Sequence, residues 1–87
     1  MTDFEGEQLD LEYPCAWEYR VIGADLDALK AAVREVMAGK AYECEPGNTS
    51  EGGRWRTLVV SLEVADEAER VGLYRSLQAN EAIKMVL

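Results

Sequence analysis

The sequence predicts an α+β sandwich in which four antiparallel strands are covered on one face by two helices. Three observations predict it. Residues 15–22, 41–45, 54–64 and 82–87 alternate side-chain character with the two-residue period of strands. Residues 26–38 and 67–79 instead carry apolar residues at helical spacing. The order is therefore β-α-β-β-α-β, a split βαβ pattern in a chain of 87 residues, the size of one domain. Right-handed crossovers then give the sheet order 4-1-3-2, with both helices on one face and the other face open.

In the first strand Trp17, Tyr19 and Val21 share the face predicted to meet the helices, and Glu18 and Arg20 share the other. Residues 1–12 precede it with Asp3, Glu5, Glu7, Asp10 and Glu12, and read as a solvated, flexible acidic tail. The alternating Leu9, Leu11 and Tyr13 could extend a sheet edge. The first helix has Asp25 as N-cap, a stripe of Leu26, Leu29, Val33, Val36 and Met37, and Gly39 as the left-handed residue past its end. The short second strand carries Glu43 and Glu45, which protect an edge from aggregation, and residues 46–53 form a long, flexible hairpin loop.

The third strand is the most strand-like segment. Leu58, Val60, Leu62 and Val64 form its core face, while Trp55, Thr57, Val59, Ser61 and Glu63 form the other. The second helix opens on an acidic capping box, Asp66 with Glu69. Val71, Tyr74 and Leu77, helped by Leu73, are its predicted stripe. Gly72 would permit close packing, and Asn80 would end the helix in a left-handed conformation. In the last strand Ile83, Met85 and Leu87 point one way and Lys84 the other. The whole is a ferredoxin-like domain over residues 13–87.

Composition narrows the function. Seventeen acidic against nine basic residues give a net charge of −8, which opposes a nucleic-acid surface and an anionic membrane. The open face has an RNA-recognition topology but the wrong aromatics, because Trp17 and Tyr19 lie on the other side of the strand. With no histidine and only two cysteines, Cys15 and Cys44, no metal-ligand pattern and no cofactor motif are present. The two cysteines sit on strands separated by a third, about 9–10 Å apart at ~4.8 Å per step, beyond the roughly 7 Å reach of a disulfide. With no apolar run long enough to span a membrane and no signal-peptide pattern, the expected location is the cytoplasm.

No pair of carboxylates is marked for acid–base work, so no catalytic residue is assigned and an enzyme is not expected. The concentrated cationic–aromatic feature is Arg54-Trp55-Arg56. The topology brings it to the edge where the first strand ends and the first helix begins. Gly23, Ala24, Ser50, Gly53, Arg54 and Arg56 are thus candidates to bind a small carboxylate, with the glycine-rich loop closing over it. The alternative is that the arginines balance Glu43, Glu45 and Glu51. On the open face Arg20, Trp55, Val59 and Val86 are candidates for a dimer or partner interface, against a surface of scattered residues. Cys15 is either a structural thiol or a nucleophile, and its neighbours Pro14, Ala16 and Trp17 do nothing to lower its pKa.

Three pieces of this sequence carry a resemblance. Tyr13-Pro14-Cys15 followed by Tyr19-Arg20-Val21-Ile22-Gly23, then Ser50-Glu51-Gly52-Gly53-Arg54-Trp55, then Ile83-Lys84-Met85-Val86-Leu87 together resemble the YbeD-like family of small bacterial proteins. Arg20 stands where that family commonly has lysine, and Asn80 where histidine is common. The resemblance implies an uncharacterised function and a ferredoxin-like fold similar to ACT-type regulatory domains. It also implies the label of lipoic-acid-binding regulatory protein that such proteins often carry. The leading expectation is a regulatory or interaction domain that binds a small carboxylate, an unknown protein partner or both. The rivals are a homodimerising adaptor without ligand and a thiol-dependent activity through Cys15.

Overall fold

A computed structural model describes residues 12–48 and 51–87. The predicted tail, apart from Glu12, and the candidate Ser50 lie outside the described residues. The elements run β1 (Cys15–Gly23), α1 (Leu26–Met37), β2 (Glu43–Pro46), a short 3₁₀ turn (Glu51–Gly53), β3 (Arg56–Val64), α2 (Glu67–Ala79) and β4 (Met85–Val86). The sheet order is β2-β3-β1-β4, the predicted 4-1-3-2 order read from the other edge.

β1 and β3 form the spine of the sheet. They pair antiparallel over their full lengths, from Cys15 opposite Val64 to Gly23 opposite Arg56. Residues directly opposite share a face. Tyr19 therefore stands with Val60, and Val21 with Leu58, all buried against the helices. The helices complete this core with Leu29, Ala32, Val33 and Met37 from α1 and Leu73 and Leu77 from α2. The apolar faces of β1, α1 and β3 are those the sequence predicts, with Ala32 added to the buried side of α1.

Both helices start as predicted and end differently. The Asp25 carboxylate accepts from the N–H of Asp27 at 3.0 Å. Asp66 accepts from the N–H of Glu69 at 2.8 Å, while the Glu69 carboxylate accepts from the N–H of Ala65. Past α1, Ala38 already takes the left-handed conformation (φ 51°) and bonds back to Arg34 O, so the turn begins one residue before Gly39. Asn80 is extended (φ −78°, ψ 130°), not left-handed. It ends α2 through its side chain, which accepts from the N–H of Ala82 at 2.9 Å.

That Asn80 turn also explains β4. The N–H of Ile83 bonds to Asn80 O, so residues 80–83 are a turn and the strand shrinks from the predicted 82–87 to Met85–Val86. Ile83 enters the core from the turn, and the register Val21 opposite Val86 then puts Val86 on the helix side. Met85 and Leu87 are exposed, so the predicted core trio of β4 keeps Ile83 alone.

α2 is rotated from its predicted orientation. Leu73 and Leu77 are buried, Val71 is half-buried and Tyr74 is 37% exposed. Gly72 lies on the exposed side with nothing within 4 Å of a Cβ built on it, so it permits no close packing. Leu73 and Leu77 are four apart, and Tyr74 is displaced around the helix by about 100° from Leu73 and about 60° from Leu77. The helix itself is legible in this segment, but its apolar period is weak beside that of α1 and the phase of its buried face is not legible.

Candidate functional site

Three surfaces could carry function, and the elements position each differently. The first is the end of the sheet where β1 passes into α1. Gly23 closes β1 directly beneath the turn that follows α2. A Cβ on it would meet Ala82 O at 2.6 Å and Leu29 Cδ2 at 2.8 Å. Beside it lies a cleft of about 340 Å³ lined by Gly23, Ala24, Asp25, Ala28, Trp55, Glu81, Ala82, Ile83 and Lys84.

Of the predicted carboxylate-binding residues, Gly23 and Ala24 line this cleft. Gly53, Arg54 and Arg56 are exposed and do not line it. The cleft holds the carboxylates of Asp25 and Glu81 against the one ammonium of Lys84. The Asp25 carboxylate, moreover, already accepts from one of the free N–H groups at the start of α1, that of Asp27, and puts a negative charge where an anion would otherwise sit.

The second surface is the open sheet face. Ala16, Glu18, Arg20 and Ile22 of β1 lie there with Val59, Ser61 and Glu63 of β3 and Glu43 and Glu45 of β2. Of the predicted interface residues, Arg20 and Val59 stand on this face. Arg20 is held by Glu18, with Nε–Oε2 at 3.0 Å and a terminal nitrogen at 2.9 Å. Trp55 instead lines the cleft at the sheet end, because β3 begins only at Arg56. Val86 is a correction. It is 6% exposed and packs in the core, because its cross-strand partner Val21 is a core residue.

The third surface is a groove of about 300 Å³ between β1 and α2, lined by Trp17, Glu18, Tyr19, Arg70, Val71, Tyr74 and Leu87. Arg70 organises its floor. Its guanidinium lies over the Trp17 ring at 4.8 Å, and its Nε donates to the Tyr13 hydroxyl at 3.0 Å. The Tyr19 hydroxyl donates to the backbone carbonyl of Arg70 at 2.6 Å. From sequence, Arg70 does not stand out, and Tyr74 falls in the core stripe of α2 and not at a site. The spacing Arg70, Leu73, Leu77 was the available signal, because it puts a cation on the buried side of α2, facing the aromatics of β1.

Burial pushes the Tyr19 phenol up to about 12 from an ordinary 10.0, against the opposing pull of the Arg70 charge. Because the folded-state pKa is the higher one, the stabilisation is fully present below pH 10 and is lost as pH rises from 10 towards 12. Stability measured by urea denaturation is expected to fall by about 1–2 kcal/mol over that window. Tyr19→Phe should remove this part of the alkaline loss.

Both cysteines are free thiols, Cys15 half-buried and Cys44 exposed. Among the described residues no group of three His, Cys, Asp or Glu side chains could hold a metal ion.

The comparisons with known proteins cover nearly the whole chain. Residues 8–87 match the family model described as protein of unknown function (DUF493). An uncharacterized protein of Helicobacter pylori strain J99 is 31% identical over 83 residues, covering 93% of this chain and 94% of that one. A UPF0250 protein of Hahella chejuensis is 28% identical over 91 aligned positions, covering all of both chains. The solution structure of protein HP0495 from H. pylori superposes with a TM-score of 0.79 at 26% identity, covering all of this chain and 96% of that one. Matched along its folded length in both sequence and backbone, the chain belongs to the DUF493 family, the YbeD-like small bacterial proteins of unknown function.

Proposed function

We propose that this chain is a non-enzymatic regulatory interaction domain of the cytoplasm, and that its partner is another protein received at the β1–α2 groove. One observation carries the reading. Tyr74 and Leu87, 37% and 65% exposed, border a groove that also presents Trp17 and Arg70. Aromatic side chains and arginine are the groups that concentrate binding energy at interface centres. The α1 end supports a small carboxylate less well, because two acidic side chains stand there and the arginines do not converge. No described helix is long and apolar enough to cross a membrane.

Parallel affinity capture tests this, with the wild-type chain, Tyr74→Asp and Arg54→Ala/Arg56→Ala as baits. The expected result is a protein retained by the wild type and the arginine variant and lost with Tyr74→Asp. Retention by Tyr74→Asp together with loss in the arginine variant would overturn the placement. Heat-denaturation screening against lipoate and other carboxylates is expected to leave the melting temperature unchanged. A rise that disappears in Arg54→Ala would favour the small-ligand reading instead. A stable dimer in light scattering, with no partner captured, would favour the adaptor.

A further inference from the structure

We infer that the groove receives its partner by strand addition, and that the partner is an extended segment alternating apolar side chains with lysine or arginine. This rests on the reading of the domain as a protein-binding module and specifies how the binding is done. The inference starts from the backbone. Arg20 exchanges both of its main-chain hydrogen bonds with Leu87, at 3.1 and 2.8 Å, and Ile22 O accepts from Lys84 N at 2.7 Å. The main-chain polar groups of Arg20 and Ile22 therefore point at β4. By the two-residue period of a strand, those of Glu18 and Ala16 point to the same edge. The described pairing of β4 with β1 runs as far as Leu87 opposite Arg20. Among the described residues no strand pairs with Ala16 or Glu18 on that side.

The two edges of the sheet differ. β2 is short and fully exposed, and it is guarded by Glu43, Glu45 and Pro46, the last without an N–H to offer. The Ala16–Glu18 edge carries one glutamate, has its proline outside the strand at Pro14, and adjoins an apolar groove. A strand added there would send alternate side chains to opposite faces. On the helix side they meet Trp17, Val71 and Tyr74, which selects apolar residues. On the open side their direct neighbour is Glu18, whose carboxylate also holds Arg20, and a long side chain placed beside Ala16 can reach across it to Glu63 on β3. Oppositely charged cross-strand neighbours are favourable there, which selects lysine or arginine. The net charge of −8 steers such a segment towards the domain and repels an acidic one. Backbone pairing supplies affinity, and the alternate side chains supply specificity.

The test is a selection of linear dodecapeptides displayed on phage, run on the full chain and counter-selected on Tyr74→Asp. Enriched sequences should alternate apolar residues with lysine or arginine. A synthetic peptide of that sequence should slow hydrogen exchange at the Ala16 and Glu18 amides. N-methylation of its β1-facing amides should weaken binding about tenfold or more, the loss expected from removing about two backbone hydrogen bonds. Glu18→Lys should weaken it several-fold.

Groove-dependent peptides that bind without protecting these amides, or that tolerate N-methylation, would overturn strand addition and leave the interaction domain standing. Protection of the Ala16 and Glu18 amides in the free chain would overturn the open edge itself. Failure to enrich any groove-dependent sequence would also overturn the inference, and the domain's status would then be decided by the capture experiment alone.

Discussion

Gly23→Ala is expected to destabilise the fold by about 1–3 kcal/mol, in the range of other substitutions that overfill a packed core. For a domain of this size that lowers the melting temperature by roughly 5–20 °C. The cause is local and cannot relax cheaply. The new methyl would lie 2.6 Å from the carbonyl oxygen of Ala82 and 2.8 Å from Leu29 Cδ2. Ala82 belongs to the turn pinned by Asn80, and Leu29 is fully buried, so neither neighbour is a loose side-chain end. Gly72→Ala is the control, since its Cβ meets nothing within 4 Å in the middle of α2. It should raise stability by up to ~1 kcal/mol through helix propensity alone. Thermal denaturation of the two variants separates these signs. An unchanged melting temperature for Gly23→Ala would show that β1 and the turn after α2 are not in contact, and would return Gly23 to the list of residues free to serve a ligand.

The same glycine shows what the sequence makes legible and what it hides. Its position at the end of a strand follows from the alternation of Trp17, Tyr19 and Val21, as do the pairing partners of β1 and the order of the sheet. The reason it is glycine does not, because the atom that forbids a side chain sits 59 residues along the chain, in Ala82. Long-range contacts of this kind also decide the candidate sites. Arg54 and Arg56 stand out in the sequence because they flank Trp55, yet β3 begins only at Arg56, and in the fold both are exposed and neither lines the cleft that Trp55 borders. Arg70 has no basic or aromatic neighbour in sequence, and meets Trp17 and Tyr13 only through the packing of α2 on β1. Val86 reads as an open-face residue until the Asn80 turn shortens the strand and pairs it with Val21. Periodicity reports which residues share a face. Which face is covered, and by what, depends on turns whose chemistry is carried by single side chains.

The phase of α2 is the point at which fold and function separate, and two substitutions resolve it. Leu77 is fully buried, so Leu77→Ala should cost about 2–5 kcal/mol, the transfer free energy of the lost methyl groups plus the cavity they leave. Domains of this kind have only about 5–15 kcal/mol of stability in total, so that variant should melt far below the wild type. Tyr74 is 37% exposed, and its hydroxyl accepts from the Gln78 amide at 3.2 Å. Tyr74→Ala should therefore change stability by no more than about 1 kcal/mol, close to an ordinary surface substitution. Urea denaturation of the pair gives the comparison directly. Equal losses would mean that Tyr74 belongs to the core stripe, as the spacing Val71, Tyr74, Leu77 suggests, and the β1–α2 groove would then be filled by it. Unequal losses leave an aromatic side chain on a helix face that the core does not require. A tyrosine held beside Trp17 and Arg70 at that position contributes little to folding, which leaves it available for recognition of a partner.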